Sequence, residues 1–131
     1  MPPVILDTNV FVAAAFKRSS ASATILRSVA HGEHALIWDE ATRSETKNVL
    51  TRIPPISWDA VASLFQNQNQ WNGTVDLQAV EFVSDPEDRK FAALSQATGA
   101  VLVSSDSDLL DHRGALNICT PSEFLHQLSN R

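Results

Sequence analysis

The chain has 131 residues, 44 % of them hydrophobic and 19 % charged, the size and balance of one soluble domain, residues 1–131, built on a single hydrophobic core. A lone cysteine, Cys119, excludes an internal disulfide and zinc sites made of several cysteines, and no apolar run reaches the roughly 20 residues a membrane span needs. The net charge of −5 excludes a protein that grips nucleic acid over its whole surface, though not one that handles it in a local cleft where metal ions offset the acids. The opening Met-Pro-Pro-Val lacks the basic start and cleavage site of a secretory signal, so a cytoplasmic protein is expected.

In chain order, Val4 to Leu6 is a short apolar run suited to a strand buried on both faces. The Ser-rich stretch Lys17 to Thr24 reads as a loop entering a helix over Ala21 to His31, with Gly32 as its stop. Ala35 to Trp38 reads as a second strand, and Asp39 as the cap of a helix from Glu40 to Arg52 that Pro54-Pro55 must end. A helix from Trp58 to about Gln70 and a short strand around Val80 to Val83 are expected next. Asp85 as N-cap, Pro86 at the first helical position and Gly99 as terminator mark the clearest helix, followed by a buried strand from Ala100 to Ser104. Ala115 to Cys119 supplies a last strand, and Thr120-Pro-Ser-Glu123 is a capping box that launches the final helix. Strands alternating with helices predict a three-layer α/β/α sandwich around a mostly parallel sheet.

At four places acids stand where local pattern does not call for them. Asp7 follows an apolar strand, and Asp106 and Asp108 follow another; in open parallel sheets ligands bind outside those carboxyl ends. Glu45 has Ala41 and Val49 at i−4 and i+4, which predicts a place on the apolar stripe of its helix. Asp88 has Phe91 and Ala92 at i+3 and i+4 and lies in a first helical turn, where the macrodipole favours an anion. Asp85 and Glu87 are read as helix-start acids and nothing more. Carboxylates gathered in one cleft repel one another unless a cation intervenes. Oxygen donors without a histidine or cysteine cluster point to Mg²⁺ or Mn²⁺, and a pair of such ions suits phosphodiester hydrolysis.

The stretches "LDTNVFV", "EATRSETKNVL", "DPEDRKFAALSQATGAVLVSSDSDLL" and "NICTPSEFL" resemble, in order and spacing, the PIN-domain family in its compact form, the VapC-like toxin of bacterial toxin–antitoxin pairs. The resemblance implies a metal-dependent ribonuclease, often dimeric, with RNA as substrate and a cognate antitoxin as a possible partner. Carried over, it makes Asp7, Glu45, Asp88 and Asp106 the acid set, with Asp108 close enough to assist or substitute. Thr8, Asn9 and Ser104 fall where the family has small polar residues that orient the acids, Ser104 replacing the more usual threonine. Family members also act in RNA processing and decay, and a catalytically silent interaction protein with a structural cation is the remaining alternative. A haloacid dehalogenase-type phosphotransferase would want an aspartate where Asn9 stands, and a response-regulator receiver a lysine near the last strand ends that this chain lacks. Lys17-Arg18, Arg43, Lys47, Arg52, Arg89-Lys90 and Arg113 are candidate phosphate contacts. The four histidines show no ligand spacing and are expected at the surface or at helix ends.

Overall fold

The computed structural model describes residues 2–129. Four parallel strands, β1 (Pro3–Leu6), β2 (Ala35–Leu36), β3 (Val101–Val103) and β4 (Ile118–Cys119), lie in the order β2-β1-β3-β4. The strand β1 is central: Val4 pairs with Leu36 on one side and with Val101 on the other. Alternation along β1 sends its side chains into two separate cores. Val4 and Leu6 meet Val10, Phe11, Ile25, Leu50 and Phe124 on one face. Ile5 meets Val80, Val83, Phe91, Leu94 and Leu109 on the other. Helices α1 (Thr8–Phe16), α2 (Ala21–Ala30), α3 (Glu40–Thr51) and α6 (Pro121–Ser129) supply the first core, and α4 (Pro86–Thr98) and α5 (Ser107–Leu110) the second. The result is the expected three-layer sandwich. Truncating the fully buried Leu102 of β3 to alanine is expected to cost about 2–5 kcal/mol.

Helix ends follow the local chemistry. Ser20 caps α2 by accepting from the Ala23 N–H at 3.1 Å. Asp39 and Thr42 exchange hydrogen bonds in a capping box at α3. Asp85 accepts from the Glu87 N–H at 2.9 Å with Pro86 at the first helical position, and Gly99 ends α4 at φ 76°. At α6, Glu123 Oε1 accepts from the Thr120 N–H and the Thr120 hydroxyl accepts from the Glu123 N–H, as the Thr-x-x-Glu pattern requires.

The structure corrects several expectations. The apolar residues beyond Asp7, to which the sequence reading assigns no element, form α1. The second strand is shorter than Ala35 to Trp38, because Trp38 leaves the sheet to bridge Gln70. The helix expected over Trp58 to Gln70 is a chain of 3-10 turns, Trp58–Ala60, Ala62–Leu64 and Asn67–Asn69. Packing is the reason. Phe65 stacks on Phe11 at 5.6 Å while touching Trp58 and Trp38, and the Trp38 indole N–H donates to the Gln66 carbonyl at 2.9 Å. A regular helix would keep that carbonyl for itself. No strand forms at Val80 to Val83: Gln78–Val80 is a 3-10 turn, and the Arg89 guanidinium takes the carbonyls of Glu81, Val83 and Ser84 that a ladder would use. His34, expected at the surface, is buried edge-on against Phe124. Among the described residues no helix is long and apolar enough to cross a membrane.

Candidate functional site

Asp7 leaves β1 at its carboxyl end. Its backbone N–H still donates to the Val103 carbonyl at 3.0 Å, so the sheet itself fixes where the side chain starts. That side chain is buried, 3 % exposed, and its Oδ2 accepts a 2.7 Å hydrogen bond from Ser104 Oγ at the end of β3. The same Ser104 oxygen accepts from the Asp106 N–H at 3.0 Å. One fully buried hydroxyl thus ties the first strand end to the loop that follows the third. Burial lifts the Asp7 carboxyl to a pKa of about 6; the Ser104 bond opposes this and the charge on Asp106 adds to it.

Asp88 enters from the other layer, in the first turn of α4. It is 9 % exposed, and its Oδ2 is buried without a hydrogen-bond partner. Its pKa is pushed up to about 8, first by burial, then by the neighbouring Asp106 carboxyl and the charge on Asp7. Asp106 itself is half-buried and caps α5 by accepting from the Asp108 N–H at 2.9 Å. Asp108 is exposed on that helix. The charge on Asp106 thus helps to raise both Asp7 and Asp88, and the charge on Asp7 helps to raise Asp88 as well.

Glu45 sits at the rim. The buried face of α3 is Thr42, Thr46 and Leu50, with Ala41 exposed and Val49 half-buried, so Glu45 flanks the apolar stripe rather than lying on it. Its Oε2 is 3.4 Å from Lys90 Nζ, which also contacts Glu87. Sharing a hydrogen bond with Glu87, and then burial, raises the Glu45 pKa. Glu87 is thus more than a helix-start acid, and the sequence signal was available: it lies three residues before Lys90, one turn away on the same helix. Thr8 does not reach an acid through its side chain. Its hydroxyl meets that of Thr46 at 3.0 Å, joining α1 to α3, while its backbone N–H supports Asp7. Asn9 is exposed.

The donors are all hard carboxylate oxygens, and Asp88 Oδ2 lacks a partner in a buried setting, which suits a divalent cation. Among the described residues, however, no three histidine, cysteine, aspartate or glutamate side chains stand close enough to hold a metal ion together.

A family model described as the PIN domain matches residues 3–108, a span that contains every one of these acids. The chain belongs to the PIN-domain family. The crystal structure of PAE2754 from Pyrobaculum aerophilum superposes with a TM-score of 0.62 at 21 % identity, over 99 % of this chain and 98 % of that one, a likeness of fold. No curated protein matches the sequence significantly.

In this PIN domain, several of the cations expected to meet phosphate are engaged elsewhere. Arg89 holds the carbonyls of residues 81, 83 and 84, Arg113 pairs with Glu123 at 2.7 Å, and Arg43 lies over the Trp38 and Trp58 rings. Lys17, Arg18, Lys47 and Arg52 are exposed.

Proposed function

We propose that this PIN domain is a Mg²⁺- or Mn²⁺-dependent endoribonuclease and the toxin of a toxin–antitoxin pair, with Asp7, Glu45, Asp88 and Asp106 as its acid set and Asp108 at the margin. The supporting observation is the pair of buried carboxyls Asp7 and Asp88, both raised by burial and by the nearby Asp106, with an Asp88 oxygen left without a hydrogen-bond partner. A fold does not wait on such a group without a use for it, because uncompensated buried carboxyls oppose stability.

When bound, the divalent ions supply an activated water and stabilise charge on the leaving oxygen of a phosphodiester. The chain's own part follows from the carboxyls. Near neutral pH, Asp7 is largely ionised, and Ser104 holds its Oδ2 in place. Asp88 still carries its proton near neutral pH and would have to lose it to serve as a ligand. A carboxylate of this group orients the attacking water and accepts its proton.

Incubating the protein with mixed single-stranded and structured RNAs in Mn²⁺ or Mg²⁺ tests the reading, with chelator and Asp88→Asn as controls. Cleavage that both controls abolish supports it; cleavage indifferent to either overturns it. Growth arrest on expression, relieved by a co-expressed partner, tests the toxin assignment. Light scattering at micromolar concentration tests the homodimer that goes with it.

A further inference from the structure

The segments that carry Asp88 and Asp106 meet again at their outer ends. Phe82, six residues before Asp88, and His112, six residues after Asp106, face each other edge-on with ring centroids 4.8 Å apart. Of the large apolar side chains left exposed among the described residues, Phe16, Leu77 and Phe82, only Phe82 belongs to a ring pair. Its exposure, 40 %, is built into the fold. Val80 and Val83 are fully buried, and Arg89 takes the carbonyls of Glu81, Val83 and Ser84, so the turn that presents the ring is pinned on both flanks. His112 is pinned too: its N–H donates to the Leu109 carbonyl, and its own carbonyl accepts from Ala115 and Leu116. The nearby cations are already engaged, Arg89 by those carbonyls and Arg113, beside His112, by Glu123.

We propose that Phe82 and His112 form a base-stacking platform that holds one nucleotide of single-stranded RNA beside the acids. The inference rests on the ribonuclease reading given above. Chain length allows it. Three residues lead from Phe82 to Asp85, a span of at most about 11 Å, and Asp85 is one helical turn from Asp88, whose N–H donates to the Asp85 carbonyl. A base on the platform and a phosphodiester at the acids then belong to one short stretch of strand. Single-stranded RNA is held by stacking its bases on rings such as those of Phe and His, and every base has a π-face to offer. The edge-on pairing suits this, because the two rings do not cover each other's faces as a parallel stack would. Stacking is also the grip open to this chain: with a net charge of −5 and the adjacent arginines engaged, phosphate attraction contributes little here. A protein partner would need a broad apolar patch, whereas the neighbours Glu81, Ser84, Asp111 and Arg113 are exposed and polar.

Short single-stranded RNAs carrying 2-aminopurine, titrated with the full chain in chelator so that no cleavage intrudes, test this, because stacking quenches the fluorescence of that base. The parent is expected to bind and quench. Phe82→Ala is expected to weaken binding by about fivefold to a hundredfold and to abolish the quenching. His112→Ala, which removes the ring that steadies Phe82, is expected to weaken binding by about twofold to tenfold. Phe82→Trp keeps a stacking ring and restores both signals, whereas Phe82→Leu keeps only apolar area and behaves as Phe82→Ala does. These losses are expected to be the same at about 50 and about 200 mM salt, since no phosphate contact is removed. Thermal melts confirm that each variant is folded. Parent-like binding and quenching by Phe82→Ala overturns the proposal; so does rescue by Phe82→Leu, which would make the patch an apolar contact for a protein. RNA that the parent cleaves in Mn²⁺ yet binds without quenching removes this inference and leaves the ribonuclease reading. Quenching that depends on Phe82, without metal-dependent cleavage, leaves the platform and removes that reading. Neither quenching nor cleavage overturns both.

Discussion

The inner acids and the rim acids of this PIN domain have the same chemistry and opposite circumstances. Asp7 and Asp88 are buried, have no cation beside them, and are held well above the usual carboxylate range. Glu45 on α3 and Glu87, the neighbour of Asp88 on α4, share Lys90, and Asp108 is simply exposed. At the rim, solvent and an ammonium satisfy the charge, so an acid there says little about function. Inside, hydrogen bonds from Ser104 and Thr8 offset burial only in part at Asp7, and Asp88 Oδ2 has no hydrogen-bond partner among the described residues.

The largest expected effect sharpens the contrast most. Asp88→Asn is expected to lower RNA cleavage by at least about a hundredfold, since even the partners that orient metal ligands are worth 10–100-fold. The same change is expected to raise the melting temperature of the ion-free chain above neutral pH, because it removes a buried carboxylate that repels Asp7 and Asp106. A variant that loses activity and stability together would make Asp88 structural and erase the distinction.

Acidity separates the two regions next. Folded Asp7 and Asp88 keep protons to about pH 6 and about pH 8, which the unfolded chain releases near pH 3.8. The folded state binds more protons between those limits, so ion-free stability is expected to fall steeply from about pH 3.8 to about 6, less steeply from there to about 8, and to level off above. Glu123, held down to about 2 by Arg113, acts with the other sign, but its contribution is constant above its ordinary value of 4.5. Melting curves from pH 5 to 9 read this directly. Added Mn²⁺ is expected to raise the melting temperature more at the alkaline end, where the carboxyls are already free of protons.

Ser104→Ala comes third. It removes the donor to Asp7 and the acceptor for the Asp106 N–H, and is expected to cost about 1–3 kcal/mol in urea unfolding. It also removes an interaction that favours ionised Asp7, so the Asp7 titration seen by carboxyl NMR is expected to move further up. Ser104→Thr keeps the hydroxyl and is expected to spare both. The smallest effect belongs to the rim: Asp108→Asn is expected to leave stability within about 0.5 kcal/mol, as exposed substitutions do, and cleavage nearly unchanged. A large loss of cleavage there would place the fourth ligand on Asp108 and redraw the boundary of the inner group.

Much of this was readable before the fold was known. Asp85-Pro86, Gly99 and Thr120-x-x-Glu123 act within a few residues of themselves, so their helix ends are settled by local hydrogen bonds and backbone freedom. The strand runs Val4 to Leu6 and Ala100 to Ser104 were legible because parallel strands buried on both faces must be apolar throughout, and they delivered the carboxyl ends at which Asp7 and Asp106 stand. What neighbours in sequence could not disclose was settled by contacts between distant residues. Phe65 fits among Phe11, Trp38 and Trp58, and the chain from Trp58 to Asn69 gives up a regular helix to allow it. Arg89 claims the carbonyls that a strand at Val80 to Val83 would have needed. Asp106 is tied to Asp7 through Ser104, which lies 97 residues from the Asp7 carboxyl it holds. Burial and charge are properties of a place in the fold: the chain supplies the carboxyls, and only their tertiary surroundings decide which of them stay uncompensated.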